Sequence, residues 1–277
     1  MAVGGLVRRP RGGVLTPREQ LVSIREGAVS LRYRVAGAGD PLVFFHSVDG
    51  LQGWPELLDR LAAQFTVYAP LHPGSEGSEG VEALDDPVDL ALAYDEWLGV
   101  LGLPSACLVG HFFGGMVAAE LAALCPGRAR GLVLLSPMGL WLAQAPLPDV
   151  VSLPPAELPP LLWKDPESAV ARAWSVPPTE EEEGVAAQIE RIQRLAAMGK
   201  FVWPLPDKGL KKRLHRIAAP TLLLWGDADQ ANPLAYGEEF LRRIKGAELR
   251  VLPGGHMVLY ESVEATARAI LDFLSAH

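Results

Sequence analysis

The sequence predicts an α/β protein: a mostly parallel, eight-stranded sheet flanked by helices, with a helical segment inserted before its last two strands. Short apolar runs alternate with amphipathic stretches over most of the 277 residues, as in a sheet covered on both faces. The first two runs alternate apolar and polar residues, whereas the later ones are continuously apolar, as strands buried on both faces must be. Alternation stops between Ser136 and about Lys208, where a stretch rich in Pro, Leu and Trp takes over.

Residues 1–20 carry arginines but no apolar run of a secretory signal, and are expected to be a loose leader. LVSIRE (21–26) and VSLRYRVA (29–36) are expected to pair as an antiparallel hairpin at the sheet edge. LVFFH (42–46), FTVYAP (65–70), ACLVGH (106–111), GLVLLS (131–136), TLLLWG (221–226) and ELRVLP (248–253) complete the sheet. Helices are expected at 54–64, 86–101, 114–125, 233–244 and 260–275. The second opens on Asp85, Asp86 and Pro87, carboxylates and a proline suited to a first turn.

The core is thus expected to comprise 21–138 and 209–277, with 139–208 forming a helical cap. Within the cap, PPTEEEEGVAAQIERIQRLAAMG reads as a helix with Thr179 as N-cap and Glu182 completing a capping box. Its acidic run suits a first helical turn better than a metal. Four of the seven tryptophans (Trp141, Trp163, Trp174 and Trp203) fall in the cap; packing accounts for most, and one is expected to line an apolar pocket. Lys208, Lys211, Lys212, Arg213 and Arg216 read as the solvated face of a short helix.

Composition narrows the function. A net charge of −8 and a pI near 5.3 argue against nucleic acid or an anionic membrane as the main partner. No apolar run has the length of a membrane span. Cys107 and Cys125 suggest buried structural thiols and a cytoplasmic protein. The six histidines show no ligand spacing, so no metal is expected. No phosphate-cradling loop or dinucleotide fingerprint appears, and no cofactor is expected.

The chemistry centres on LVGHFFGGMVAAELAA (108–123), a strand passing through a sharp glycine turn into a helix. Gly110 and Gly114 flank Phe112 at two positions either side, where neighbouring backbones must approach closely. This pattern resembles the nucleophile elbow of the α/β-hydrolase family, whose central residue is a serine. His111 and Phe113 also match common neighbours of that serine, and the resemblance extends from about residue 21 to 275. It implies an acid at Asp229 in LLLWGDADQANP, with Asp227 the alternative, and a general base at His256 in LPGGHMVLYE. It also implies oxyanion donors at Phe113 and at Ser47 or Val48, although FFHSVDG carries Ser47 where the family usually shows glycine. A pocket is expected around His46, Trp141 and Met257.

Phe112 sets this chain apart. A benzyl group has no lone pair to attack with and no proton for a histidine to remove. Losing a triad nucleophile costs on the order of 10⁶-fold in turnover. Ser47, on the loop facing the elbow, could substitute, but its hydroxyl more simply bonds its own loop. Ser136 has no base placed for it, and Cys107 lies within a strand. The Phe112 ring is expected to lie against His256, either plugging the pocket or walling it for a flat ligand. One base change converts a serine codon to phenylalanine. The resulting expectation is a protein of serine-hydrolase ancestry, impaired or non-hydrolytic, binding a small apolar ligand between core and cap. The alternatives are a hydrolase of esters or carbon–carbon bonds using another nucleophile or water, and a His256–Asp229 general-base enzyme of the cofactor-free oxygenase or lyase type.

Overall fold

The computed structural model describes residues 15–51, 53–150, 152–175, 181–203 and 207–277. All eight predicted strands form: β1 (Arg18–Ile24), β2 (Val29–Gly37), β3 (Asp40–Phe45), β4 (Phe65–Pro70), β5 (Ala106–His111), β6 (Ala129–Leu135), β7 (Thr221–Gly226) and β8 (Glu248–Leu252). They make one sheet in the order β1-β2-β4-β3-β5-β6-β7-β8. β2 runs antiparallel to both β1 and β4, and the pairs from β4 through β8 are parallel. The chain is engaged earlier than the expected leader allows, since β1 starts at Arg18 and the Leu15 N–H donates to Asp59 Oδ1 at 2.9 Å.

Period-2 alternation divides the core between the two faces of the sheet. Val43, Phe45, Leu108, Leu132, Leu134, Leu223 and Trp225 pack on one face, and Leu42, Phe44, Val109, Val133, Leu135, Leu222 and Leu224 on the other. The helices are α1 (Glu56–Leu61), α2 (Pro87–Val100), α3 (Phe113–Leu124), α4 (Pro159–Leu162), α5 (Ala169–Ser175), α6 (Glu181–Val202), α7 (Leu234–Arg243), α8 (Val258–Glu261) and α9 (Val263–Ala276). α2 starts as its sequence predicts. Pro87 occupies the first turn, and the Asp86 carboxylate accepts from the N–H groups of Val88 and Asp89 at 2.8 and 2.9 Å. α3 is buried from Phe113 to Ala123 and forms the spine on which the elbow rests.

Two expectations change. The helix predicted at 260–275 is two helices, because Ser262 adopts a non-helical φ of −124° and its hydroxyl donates to the Pro253 carbonyl. The cationic cluster is not simply a solvated face. Arg213 donates from Nε and Nη2 to both oxygens of the buried Glu120 at 2.7 and 2.5 Å, and Lys211 pairs with Asp207 at 2.8 Å. A lone amphipathic period cannot show that such a cation has a buried partner 93 residues away.

Among the described residues, the insertion between β6 and β7 contains no strand and carries α4, α5 and α6. The expected N-cap Thr179 lies outside the described residues. No helix among them is long and apolar enough to cross a membrane. Cys107 and Cys125 are unpaired thiols, and burial pushes both thiols above their usual pKa.

Candidate active site

β5 delivers the chain into a corner at Phe112, where φ is 47° and ψ is −103°. A non-glycine residue at positive φ costs about 1–3 kcal/mol and persists only where its surroundings impose it. The flanking glycines show how. A Cβ on Gly110 would lie 2.3 Å from the Gly114 carbonyl oxygen, and one on Gly114 would lie 2.1 Å from the Phe45 carbonyl oxygen. The Phe112 N–H donates to Leu135 O, while its carbonyl accepts from Met116 and Met138 at 3.0 and 3.1 Å. The corner is therefore held by β6, by α3 and by the chain entering the insertion.

The Phe112 side chain is 3 % exposed. Its ring centre stands 4.6 Å from that of His256, with the planes at 88°, the edge-to-face geometry favoured by aromatic rings. His256 Nδ1 donates to Asp229 Oδ2 at 2.9 Å, and Asp229 Oδ1 accepts from the Asn232 N–H at 2.8 Å. Both partners of the imidazole–carboxylate pair are buried. With Nδ1 carrying the proton, Nε2 is the basic nitrogen. His111 Nε2 donates to the His256 carbonyl at 3.1 Å, fixing the backbone beneath that ring. Asn232 ties the Asp229 loop to the chain leaving β6 by donating from Nδ2 to the carbonyls of Ser136 and Pro137 at 3.0 and 2.9 Å.

Asp229, His256 and Phe112 are thus brought together as expected. Asp227 stands apart, half-exposed and paired with Lys164 at 2.7 Å. Phe113 begins α3, where a first-turn N–H has no partner within the helix. Its ring packs against His72 and against Phe201 of α6.

The loop after β3 departs from the sequence expectation at Ser47. Its carbonyl accepts from His46 Nδ1 at 2.7 Å and from the Gly50 N–H at 3.1 Å, so the main chain closes this turn. The Ser47 hydroxyl is left buried with no partner among the described residues, rather than bonded to its own loop. Ser136 likewise holds a buried, unpartnered hydroxyl at a φ of 40°. Two residues that sequence patterns did not single out complete this side. Arg194 of α6, buried, donates from Nε to the Val48 carbonyl at 3.2 Å. Burial pushes the Asp49 carboxyl up, against the opposing pull of Arg194, His256 and Arg191.

Space at the site is small. One cavity of about 10 Å³ is lined by His46, Ser47, Asp49, His111, Met257 and Tyr260, among others. Another of about 20 Å³ lies against Met116, Met138, Leu140 and Val202. Each has room for about one water molecule. Trp141, expected in the pocket, is half-buried and lines neither cavity. The larger space, an open groove of about 560 Å³ between residues 74–82 and α6, shares no lining residue with the Phe112–His256 site. Among the described residues no group of three or more His, Cys, Asp or Glu is arranged to hold a metal.

Three buried histidines give the neighbourhood a pH signature. His46 donates from Nδ1 to Ser47 O and accepts the His72 N–H at Nε2. His72 donates from Nε2 to His46 O at 3.0 Å, and its Nδ1 meets the Tyr94 hydroxyl at 2.6 Å. Burial holds His46 down at about 3, and burial likewise holds His72 and His111 well below 6.5. The unfolded chain therefore takes up protons near pH 6.5 that the folded chain refuses. The contribution of these histidines to stability is full above that pH and is lost as the pH is lowered toward 3, by up to about 1.4 kcal/mol per pH unit for each histidine. Urea unfolding from pH 8 to 4 should show this decline; a flat profile would contradict it.

The residues from 42 to 269 match the alpha/beta hydrolase family, and the chain belongs to it. It is 28 % identical to the 2-hydroxy-6-oxo-6-phenylhexa-2,4-dienoate hydrolase of Burkholderia cepacia, over 92 % of this chain and 96 % of that protein. To the 2-hydroxy-6-oxononadienedioate/2-hydroxy-6-oxononatrienedioate hydrolase of Paraburkholderia phymatum it is 30 % identical, over 91 % and 94 %. The solved 2-hydroxy-6-oxo-6-phenylhexa-2,4-dienoate hydrolase from Rhodococcus shares the fold at a TM-score of 0.74 and 20 % identity, covering 94 % of this chain and all of that one.

Proposed function

We propose that this protein keeps the frame of a serine hydrolase but does not form an acyl-enzyme, and that its insertion acts as a cap over the altered site. The observation that carries this reading is the Phe112 ring, 3 % exposed and edge-to-face with His256 at 4.6 Å. It fills the place from which an attacking oxygen would act. A small apolar ligand would have to displace this ring and the cap, since the neighbouring cavities of about 10 and 20 Å³ admit no organic molecule. A cytoplasmic location suits the two unpaired thiols.

A second reading rests on the intact 2.9 Å bond between His256 and Asp229. A dyad with a basic Nε2 can deprotonate a bound water or an acidic substrate carbon without any covalent intermediate. Hydrolysis, the activity named for the dienoate relatives, would then have to proceed through such a water.

Purified protein treated with a fluorophosphonate serine probe and with short p-nitrophenyl esters separates these readings. No labelling and no turnover above background are expected. Stoichiometric labelling, or ester turnover abolished by His256→Ala, would overturn the first reading. Product formation from an acidic substrate that disappears in Asp229→Asn would establish the second.

A further inference from the structure

Glu261, the last residue of α8, stands between the insertion and the His256 loop. Its Oε2 accepts the N–H of Gly255, the residue before His256, at 2.5 Å. Its Oε1 accepts the N–H of Lys164, from the insertion, at 2.9 Å. A third bond runs beside these, from the Met257 N–H to the Leu162 carbonyl at 3.0 Å. The two segments touch so closely that a Cβ on Gly255 would lie 2.7 Å from both Leu162 O and Lys164 N. The Lys164 ammonium pairs with Asp227, whose Oδ1 also accepts the Gly254 N–H at 3.0 Å. Asp227, a rival candidate for the acid in the sequence, is a strut of the same joint.

We propose that Glu261 is a positioning residue that makes the placement of His256 depend on the placement of the insertion. One carboxylate has lone pairs for both N–H groups, and bonds to an ionised acceptor are stronger than neutral ones. On the reading of the insertion as a cap, a molecule larger than water reaches the buried His256 by displacing it. Displacement at Lys164 removes one of the two contacts that fix this carboxylate. The Gly255 peptide is then held by an acceptor free to move, and the imidazole attached to the next residue moves with it. The insertion is in this way a part of the histidine's support as well as its cover.

Hydrogen exchange on the full chain tests the coupling, together with imidazole ¹H–¹⁵N spectra. Glu261→Gln keeps the shape but offers only one acceptor oxygen. It should speed exchange of the 162–164 and 254–257 amides together by about tenfold, leave β3 and β5 unchanged, and shift or broaden the His256 Nδ1–H resonance. Lys164→Met removes the ion pair with Asp227 and keeps the main-chain N–H, so 254–257 should stay within about twofold of the parent. Four results would overturn the proposal. Exchange is unchanged in Glu261→Gln, or rises in only one segment. It rises uniformly through the sheet, the mark of a merely structural role. Or Lys164→Met reproduces the Glu261→Gln effect.

Discussion

Phe112→Ser should turn the protein into one labelled stoichiometrically by a fluorophosphonate, with p-nitrophenyl ester turnover raised by on the order of 10³-fold. The parts that a serine needs are in place. The corner already holds φ at 47°, the flanking glycines allow it, and the ring being replaced lies directly against His256. Asp229 already orients the imidazole through Nδ1. A whole triad nucleophile is worth on the order of 10⁶, but an incomplete oxyanion hole gives back roughly 10²–10³ of that. Phe113 can supply one donor; the loop of Ser47 and Val48, where the family resemblance leads one to expect a glycine, is the weak side. The substitution also removes a buried ring and should lower stability by about 3 kcal/mol, so folding must be checked alongside activity. A folded Phe112→Ser protein that neither labels nor turns over would show that residue 112 alone does not decide hydrolysis. Turnover that survives a further His256→Ala would remove the dyad from the account.

Arg213→Ala should lower the unfolding free energy by about 3 kcal/mol, the largest loss expected from any single surface-reaching side chain here. Its partner Glu120 sits on α3 with a fully buried carboxylate, receiving two bonds from the guanidinium. Burial already raises the Glu120 carboxyl above 4.5 despite those bonds. Without Arg213 the carboxyl stays protonated further into the neutral range, which caps the cost. Arg213 is about one-fifth exposed, which argues for the low end of the usual 3–5 kcal/mol. The sign of the pH effect follows. Because the folded pKa lies above the unfolded one, the variant is relatively stable near pH 4 and loses stability as the pH rises above about 4.5. Glu120→Leu combined with Arg213→Met should recover most of the loss. Denaturant midpoints with unchanged m-values measure all three proteins; a single-variant loss below about 1 kcal/mol would mean that water already serves Glu120.

Local patterning made the fold legible. Strands buried on both faces write continuous apolar runs, and each predicted strand formed within a few residues of its predicted ends; β8, read as one of these buried strands, instead lies at the sheet edge with no fully buried residue. The elbow could be located because a close backbone approach admits only glycine, and His256 and Asp229 because each lies in a short loop after a strand that the resemblance marks. What escaped reading depends on contacts distant in sequence. Nothing in IERIQR says that Arg194 turns inward to Val48, 146 residues away. Glu261 is one helical turn from a loop it supports, yet its second bond goes to Lys164, 97 residues back. The Ser47 hydroxyl lacks the partner its sequence suggests because the turn closes through its carbonyl instead. Trp141 was assigned by composition, and composition places no side chain.

The two outer strands of the sheet have a consequence for the protein in concentrated solution. Among the described residues, β1 and β8 each leave one row of main-chain amides without a neighbouring strand. On β8 that margin carries Glu248 paired with Arg250 at 2.8 Å, and on β1 Glu19 pairs with Arg32 of the adjacent strand. Another chain adding itself to either margin would have to strip water from these charges. The same ion pairs that contribute little to folding therefore discourage the sheets of separate molecules from joining into a growing ribbon.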